Sequence, residues 1–319
     1  MARQYLDFEI PIKEIDEKIA KRKALLFVGN NSNADLVDLQ NKRKKLINNI
    51  FLKLNRWQRV QLARHPERPY SLDYIQAWSP DFIELHGDRH YGDDNAIVTG
   101  IGKIGEIKVA IIAQQKGRNT KDNIIRNFGM MQPEGYRKAL RIMKLAEKFN
   151  LPIISLIDTP GASPGIEAEE RGQGEAIANN LLEMSKLKTT IISIVIGEGA
   201  SGGALGIGIC DRMLMLENTW YSVITPEGCA SILWHDTSKA PQAAEALKLI
   251  PKDLMELGIC NRIVKEPTGG AHDDKKQMFE MLKDVIIEEL KVFDNVSKES
   301  LFDMRIEKYD KIGSFSYQK

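Results

Sequence analysis

Ile191-Ile-Ser-Ile-Val-Ile-Gly-Glu-Gly-Ala-Ser-Gly-Gly-Ala-Leu-Gly-Ile-Gly208 decides how the rest of this chain is read. Residues 191–196 are apolar and mostly β-branched, which predicts a buried strand. Six glycines then fall between Gly197 and Gly208, which predicts a turn opening a helix. Residues without a Cβ let backbone approach a neighbour or ligand closely and expose N–H groups to it. A strand, a glycine turn and a helix start together make a device for anions or oxyanions.

Three readings of that turn compete. Gly197, Gly199 and Gly202 satisfy the dinucleotide pattern G-x-G-x-x-G, with Glu217 closing the next apolar run. Gly199-Ala-Ser201-Gly-Gly203 also fits the nucleophile elbow G-x-S-x-G, which makes Ser201 a candidate hydrolase nucleophile with His235 or His272 as base. The third reading needs only main-chain N–H groups. Overlap of two short patterns in one run lowers the specificity of both.

With 319 residues, the chain is long enough for one large α/β domain with extensions, or about two domains. Lys and Arg total 45 against 44 Asp and Glu, so bulk charge favours neither nucleic acid nor an anionic membrane, and any anion site must be local. Cys210, Cys229 and Cys260 form no C-x-x-C pair; they read as packed thiols in a reduced, cytoplasmic protein. The first residues lack the apolar core of a signal peptide. Only 191–210 approaches membrane-spanning length, and its glycines argue against a spanning helix.

Ile12, Ile15 and Ile19, then Leu36, Leu39, Leu46, Ile50 and Leu54, recur at helical spacing on either side of a turn at 29–33. They predict a helical hairpin with a basic outer face (Lys42, Arg43, Lys44, Lys45). Pro66 and Pro69 mark the end of this extension, placed at 1–60. Beyond it, strands are expected at 96–101, 109–114, 153–158, 191–196, 213–216 and 221–224. Helices are expected at 133–149, 165–186, from Pro226 and around Met278 to Leu290. This alternation predicts an α/β fold spanning 61–295, with a helical tail at 296–319. Ile153-Ile-Ser-Leu-Ile-Asp158-Thr-Pro-Gly-Ala162 resembles the strand and turn that begin 38 residues later at Ile191. Such a repeat suggests stacked β-β-α superhelical turns whose loops share one edge.

From Ile191 to Gly228 the chain resembles crotonase-fold proteins, in which a strand, a Gly-Gly helix start and a Pro-Glu-Gly turn line an acyl-CoA site. Over nearly its whole length it resembles the α subunits of bacterial acetyl-CoA carboxylase carboxyltransferases. The residues carrying the resemblance are Leu62-Ala-Arg-His-Pro-Glu-Arg-Pro-Tyr70, Gln115-Lys-Gly-Arg118, Arg126-Asn-Phe-Gly129 and Pro133-Glu-Gly-Tyr-Arg-Lys138. Asp158-Thr-Pro-Gly161, Gly197-Glu-Gly-Ala-Ser-Gly-Gly203 and Pro226-Glu-Gly-Cys-Ala-Ser-Ile-Leu-Trp234 complete them. The resemblance implies transfer of a carboxyl group from carboxybiotin, borne on a biotin carboxyl carrier protein, to acetyl-CoA, giving malonyl-CoA for fatty-acid synthesis. It also implies a zinc-containing β subunit, an α2β2 assembly and a separate biotin carboxylase that alone uses ATP. Consistently, the chain has no zinc ribbon, no G-x-x-x-x-G-K-[ST] loop and no Met-Lys-Met biotinylation site. No covalently bound cofactor and no metal are expected.

The backbone N–H groups of Gly202 and Gly203, with help from a helix macrodipole, are the expected oxyanion hole for the biotin carbonyl oxygen. Gly199, Ser201, Gly161 and Ala162 are expected substrate neighbours. Lys116, Arg118 and Arg126 are candidates for CoA phosphates or an acidic carrier surface, with a solvated basic loop as the alternative. His86 and His90 flank Asp88 in a loop, not on a helix, which gives little expectation of a metal. Asp158 is expected to shape its turn; Glu198 and Glu227 are open between capping and substrate contact. Besides hydrolysis, the alternative function is a non-catalytic carrier-protein scaffold, for which Gly203→Val would cost nothing.

Overall fold

A computed structural model describes residues 3–26 and 34–313. The turn expected at 29–33 lies outside them. Helices α1 (Ile10–Leu26) and α2 (Ala34–Phe51) pack on one another, burying Ile12, Ile19 and Ile47. Of the basic face, Lys42, Lys44 and Lys45 are exposed. Arg43 instead turns inward to Asp16 at 2.5 Å and Asp273 at 3.3 Å. The chain continues through α3 (Arg56–Ala63) and α4 (Ser71–Trp78) into the sheet.

That sheet is eight-stranded. In chain order its strands are β1 (Ile83–Glu84), β2 (Ile97–Ile104), β3 (Ile107–Gln114), β4 (Ile153–Thr159), β5 (Ile191–Ala200), β6 (Arg212–Leu216), β7 (Trp220–Ser222) and β8 (Arg262–Val264). Spatial order is β1-β2-β3-β4-β5-β6-β8, antiparallel up to β3 and parallel beyond it. The repeat noted in the sequence is realised as pairing: Ile153 lies opposite Ile191 and Ser155 opposite Ser193.

Between the strands run α5 (Thr120–Ile125), α6 (Pro133–Lys148), α7 (Ile166–Glu170), α8 (Gln173–Lys186), α9 (Ser201–Leu205), α10 (Pro226–Trp234), α11 (Ala240–Leu247) and α12 (Pro251–Glu256). Helices α13 (Lys275–Lys291) and α14 (Lys298–Asp310) follow β8. β4 and β5 are buried along their whole length because helices cover both faces of the sheet. Ile153, Ile157, Ile191 and Val195 pack with Tyr136, Met143 and Met184 of α6 and α8. The alternate residues Ile154, Leu156, Ile192 and Ile194 pack with Tyr74, Met278 and Leu282 of α4 and α13. Each such side chain contributes about 1.5–3 kcal/mol of apolar burial.

Several expected boundaries move. The helix expected at 165–186 breaks after α7, where Gly172 adopts φ 83°, a conformation cheap only for glycine. The expected strand at 221–224 is β7, Trp220–Ser222. The most consequential shift is in β5, which continues through Gly197 and Gly199 to Ala200. It pairs with β6 over 192–195 and then with β7 over 198–200. Strand β4 shifts register against it between Ile157 and Thr159. The end of the sheet therefore splits, and the glycine turn begins at Ser201 instead of Gly197.

Where the N-terminal segment meets the body, the His65 and His272 rings stack at 3.9 Å with 19° between planes. Glu9 lies beside them, its carboxylate 3.8 Å from His272 Nε2. A metal must lie near the plane of each ligating ring, and two nearly parallel planes this far apart share no nearby point, so the pair is packing. Burial, then the neighbouring His272, holds His65 below the usual imidazole range, at about 4. A base with a depressed folded pKa stabilises the fold above its unfolded value, 6.5, and loses that contribution as pH falls toward 4. Burial pushes Asp94 up to about 6, and it acts in the opposite sense over this window. Because Asp94 is common to wild type and variant, it cancels in a comparison. The thermal midpoint should drop more between pH 7 and 4.5 in the wild type than in His65→Phe; equal drops would remove His65 from the account.

Candidate active site

Two chain segments leave the split end of the sheet side by side. The first is Thr159-Pro-Gly161-Ala162, after β4. Thr159 is fully buried, with Oγ1 2.7 Å from the carbonyl oxygens of Gly129 and Gly161, and it accepts from Gly161 N–H at 3.2 Å. This hydroxyl fixes the turn at Gly161, whose φ of 154° suits a residue without Cβ.

The second segment is the β5–α9 junction. Ser201 takes φ 57°, a left-handed conformation that costs a non-glycine residue energy, and this folds the chain sharply from strand into helix. The first N–H groups of a helix have no carbonyl one turn earlier to bond. Helix α9 starts at Ser201, so Gly202 and Gly203 lie in that first turn, without an intrahelical carbonyl for their N–H groups. A Cβ on Gly203 would sit 2.2 Å from the carbonyl carbon of Gly161 and 2.6 Å from Ala162 N. The two segments thus touch backbone to backbone.

Between them opens a cleft of about 480 Å³ whose lining includes Gly161, Ala162, Ser201, Gly202, Gln173 and Thr225. Gly203 is buried behind this surface. Helix α9 has only five residues, so little macrodipole is available, and the site's polarity comes from individual N–H donors.

At the ends of β4 and β5 runs a chain of charge, buried at Asp158 and Glu198 and partly exposed at Arg64 and Glu227. Lys116 Nζ lies 2.7 Å from both Asp158 and Glu198. Arg64 bonds Glu198 and Glu227, each at 2.6 Å. Burial opposes the charge on Lys116 and Glu198, but their partners outweigh it, so the lysine pKa is raised and the Glu198 pKa lowered. Burial raises that of Asp158. Asp158 also accepts the Glu198 N–H at 3.1 Å, so this network pins the ends of β4 and β5 together. Gly197 is required here because a Cβ would fall 2.2 Å from the Asp158 carboxylate.

Of the residues singled out by the sequence, Gly161, Ala162, Ser201 and Gly202 come together in the cleft. Gly199 does not line it: its position lets the Tyr221 ring approach to 2.6 Å of where a Cβ would be. Lys116 is committed to its two carboxylates. Arg118 pairs with Asp73 and lies 3.8 Å from the centre of the Tyr70 ring. Arg126 bonds Asp122 at 3.3 Å and the Asn95 carbonyl at 3.0 Å. Each of these cations therefore has a carboxylate partner within the chain, and Arg118 is the one of the three that is exposed. The Asp158 carboxylate bonds Lys116 and the Glu198 N–H on β5, while Thr159 holds the turn that follows; Glu198 and Glu227 bond Arg64.

The dinucleotide pattern dissolves, since Gly197 and Gly199 are strand residues. The hydrolase pattern keeps its backbone bend, but neither histidine named for it lines the cleft; His235 is exposed at the end of α10 and His272 is stacked on His65. His86 bonds Asp93, while Asp88 accepts the N–H groups of His90, Tyr91 and Gly92 and so shapes its loop. Sequence reasoning missed Gln114 and Gln173, the buried amides that brace the cleft. Two glutamines closing an apolar strand, Gln114-Gln115, were the available signal for the first.

The family model described as acetyl co-enzyme A carboxylase carboxyltransferase-like matches residues 5–313. The chain belongs to that family. It is 53% identical over 323 residues to the acetyl-coenzyme A carboxylase carboxyl transferase subunit alpha of Chlorobium luteolum, covering 97% of this chain and 96% of that one. It is 52% identical over 318 residues to the protein of the same name from Flavobacterium psychrophilum, covering 98% and 99%. Among solved structures, a Pseudomonas malonate decarboxylase hetero-tetramer in complex with coenzyme A superposes with a TM-score of 0.58 at 15% identity, over 74% of this chain and 91% of that one. The transcarboxylase 12S core, with methylmalonyl-coenzyme A bound, gives 0.53 at 18% identity, over 68% of this chain and 42% of that one. These likenesses establish the crotonase-like fold. Membership establishes a carboxyl-transferring enzyme, and neither hydrolysis nor a purely scaffolding role finds support.

Proposed function

We propose that this chain is the carboxybiotin half of an acetyl-CoA carboxylase carboxyltransferase. It moves a carboxyl group from carboxybiotin, carried on a biotin carboxyl carrier protein, to acetyl-CoA and yields malonyl-CoA. The observation that carries the reading is a cleft bordered by the first turn of α9, whose N–H groups at Gly202 and, just behind it, Gly203 have no intrahelical carbonyl to bond.

Carboxybiotin that loses CO₂ leaves an anion whose charge is shared with the ureido oxygen. That anion takes a proton from the acetyl methyl group, and the resulting carbanion attacks CO₂, so biotin ends neutral and the new carbon–carbon bond completes malonyl-CoA. Such chemistry asks the protein for fixed donors more than for a base, and a donor of this kind is worth about 3–4 kcal/mol of barrier. Gly202 and Gly203 face the ureido oxygen in this proposal, with Gly161, Ala162 and Ser201 as walls. The thioester oxygen needs a second hole on a β subunit.

A partner across the cleft is also supported by the exposed side chains of Val223, Ile232 and Leu233, at 80%, 68% and 61% exposure, on and beside α10. The zinc of the β subunit, an α2β2 assembly, a separate ATP-using biotin carboxylase and a cytoplasmic setting belong to the same proposal. So does the division into an extension (1–60), a carboxyltransferase unit (61–295) and a tail (296–319). No helix among the described residues is long and apolar enough to cross a membrane.

Mixing this chain with the β subunit, malonyl-CoA and a biotin derivative should give carboxyl exchange that neither chain supports alone. Exchange by the β subunit alone at the same rate would refute the proposed division of labour.

A further inference from the structure

Gln114, the last residue of β3, sits fully buried at the root of the cleft and touches both of its walls. Its Oε1 accepts the N–H of Asp158 at 3.1 Å, at the end of β4. Its Nε2 donates to the carbonyl oxygen of Gly203 at 2.8 Å and lies 3.3 Å from Met131 Sδ. The Gly203 carbonyl belongs to the first turn of α9, and the helix stops before the residue four places on that would donate to it, since Ile207 N–H bonds Ala204 instead. Ser71 Oγ holds the Gln114 main-chain oxygen at 2.6 Å, so the glutamine is anchored from behind.

From this geometry we infer that Gln114 is a positioning residue for the reaction: one buried amide ties the Gly203 carbonyl, one peptide unit on from the Gly203 N–H, to the end of β4 and thereby fixes how the first turn of α9 presents its N–H groups to the cleft. The inference rests on the proposed role of Gly202 and Gly203. Glycine backbone has no side chain to set its own torsions, so an oxyanion donor built from it needs an external clamp. A hydrogen bond at 2.8 Å inside the core supplies one without touching substrate.

The test uses the chain assembled with its β subunit and follows carboxyl exchange. Gln114→Met keeps length and apolar bulk but removes both amide contacts; kcat should fall about tenfold to a hundredfold, with KM for malonyl-CoA and for the biotin derivative unchanged. Gln114→Glu adds a signature that loss of packing alone would not produce. Protonated, the carboxyl can still donate to the Gly203 oxygen; ionised, it opposes that oxygen. The variant's kcat should therefore approach wild type at low pH and collapse as the new acid ionises. Lys116, Asp158 and Glu198 lie close enough to couple to the new acid, so the signature is the fall of the variant-to-wild-type kcat ratio with rising pH and not the position of its midpoint.

If Gln114→Met leaves kcat unchanged while Gly203→Ala abolishes exchange, the positioning role is wrong and the oxyanion reading stands. If both variants exchange normally, the reading beneath it is wrong. Should Gln114→Met not fold, the Gln114→Glu profile decides, and a profile parallel to wild type overturns the inference.

Discussion

Carboxyl exchange by Gly203→Ala, assembled with the β subunit, is expected to fall by at least about a hundredfold, the cost of losing one oxyanion donor. The added methyl would lie 2.2 Å from Gly161 C and 2.5 Å from Gly161 O. These are backbone atoms of a turn held by Thr159, so they cannot swing aside as a side chain can. Either the turn or the start of α9 must move, and both bound the cleft. The neighbouring position provides a calibrated contrast. On Gly202 a new Cβ would meet only the tip of Ile177, at 3.3 Å, which a small rotamer change relieves, so Gly202→Ala should keep activity within several-fold. Gly165, where a Cβ meets nothing within 4 Å, serves as the neutral control. Steady-state exchange rates for the three variants check the order, and a Gly203→Ala enzyme as active as Gly165→Ala would sink the assignment of this peptide.

Arg68→Met should cost about 3–5 kcal/mol of stability, the range for breaking a buried ion pair by removing one partner. Arg68 and Glu266 side chains are each 1% exposed and meet at 2.6 Å. The guanidinium also donates to the Ile196 carbonyl at 2.7 Å, where β5 leaves β6. Glu266 in turn accepts from Asn218 N–H and Nδ2 and from Ala271 N–H. Every lone pair is engaged, so removal of the cation leaves a carboxylate with hydrogen bonds but no countercharge.

The pH dependence should change sign with the substitution. In the wild type, burial opposes ionisation of Glu266 but Arg68 outweighs it and holds the pKa at about 2. Its contribution is therefore present above the unfolded value, 4.5, and lost as pH falls toward 2. Without Arg68, burial dominates and lifts the folded pKa above the unfolded one, so the variant loses stability as pH rises through that value. Denaturant unfolding of both proteins should show a gap that is largest near pH 7 and narrows toward pH 4.5; a gap independent of pH would show that Glu266 is not the group left exposed to the loss.

Some of the molecule is written locally and can be read without coordinates. Residues 153–157 and 191–196 are apolar and largely β-branched apart from one serine each, a pattern that suits a strand covered on both faces, and β4 and β5 begin where those runs begin. Pro226 follows Thr225, whose hydroxyl accepts from Gly228 N–H, so the start of α10 is fixed by residues adjacent in sequence. The hairpin, the helices over the sheet and the cleft loops at Gly161 and Gly202 follow from the same short-range logic, because periodicity and capping act over one or two turns.

What each glycine and each charge does was decided by residues far away in the chain. A missing Cβ looks the same at Gly197, Gly199 and Gly203, yet the first makes room for Asp158, the second for Tyr221 and the third for the Gly161 peptide. Lys116 read as a free cation because Glu198, which neutralises it, lies 82 residues on. Gln114-Gln115 at the end of an apolar run marked a polar pair, but not what Gln114 clamps, because both walls it touches arrive from later strands. Close approach and ion pairing depend on distance in space, and a sequence records distance only along the chain.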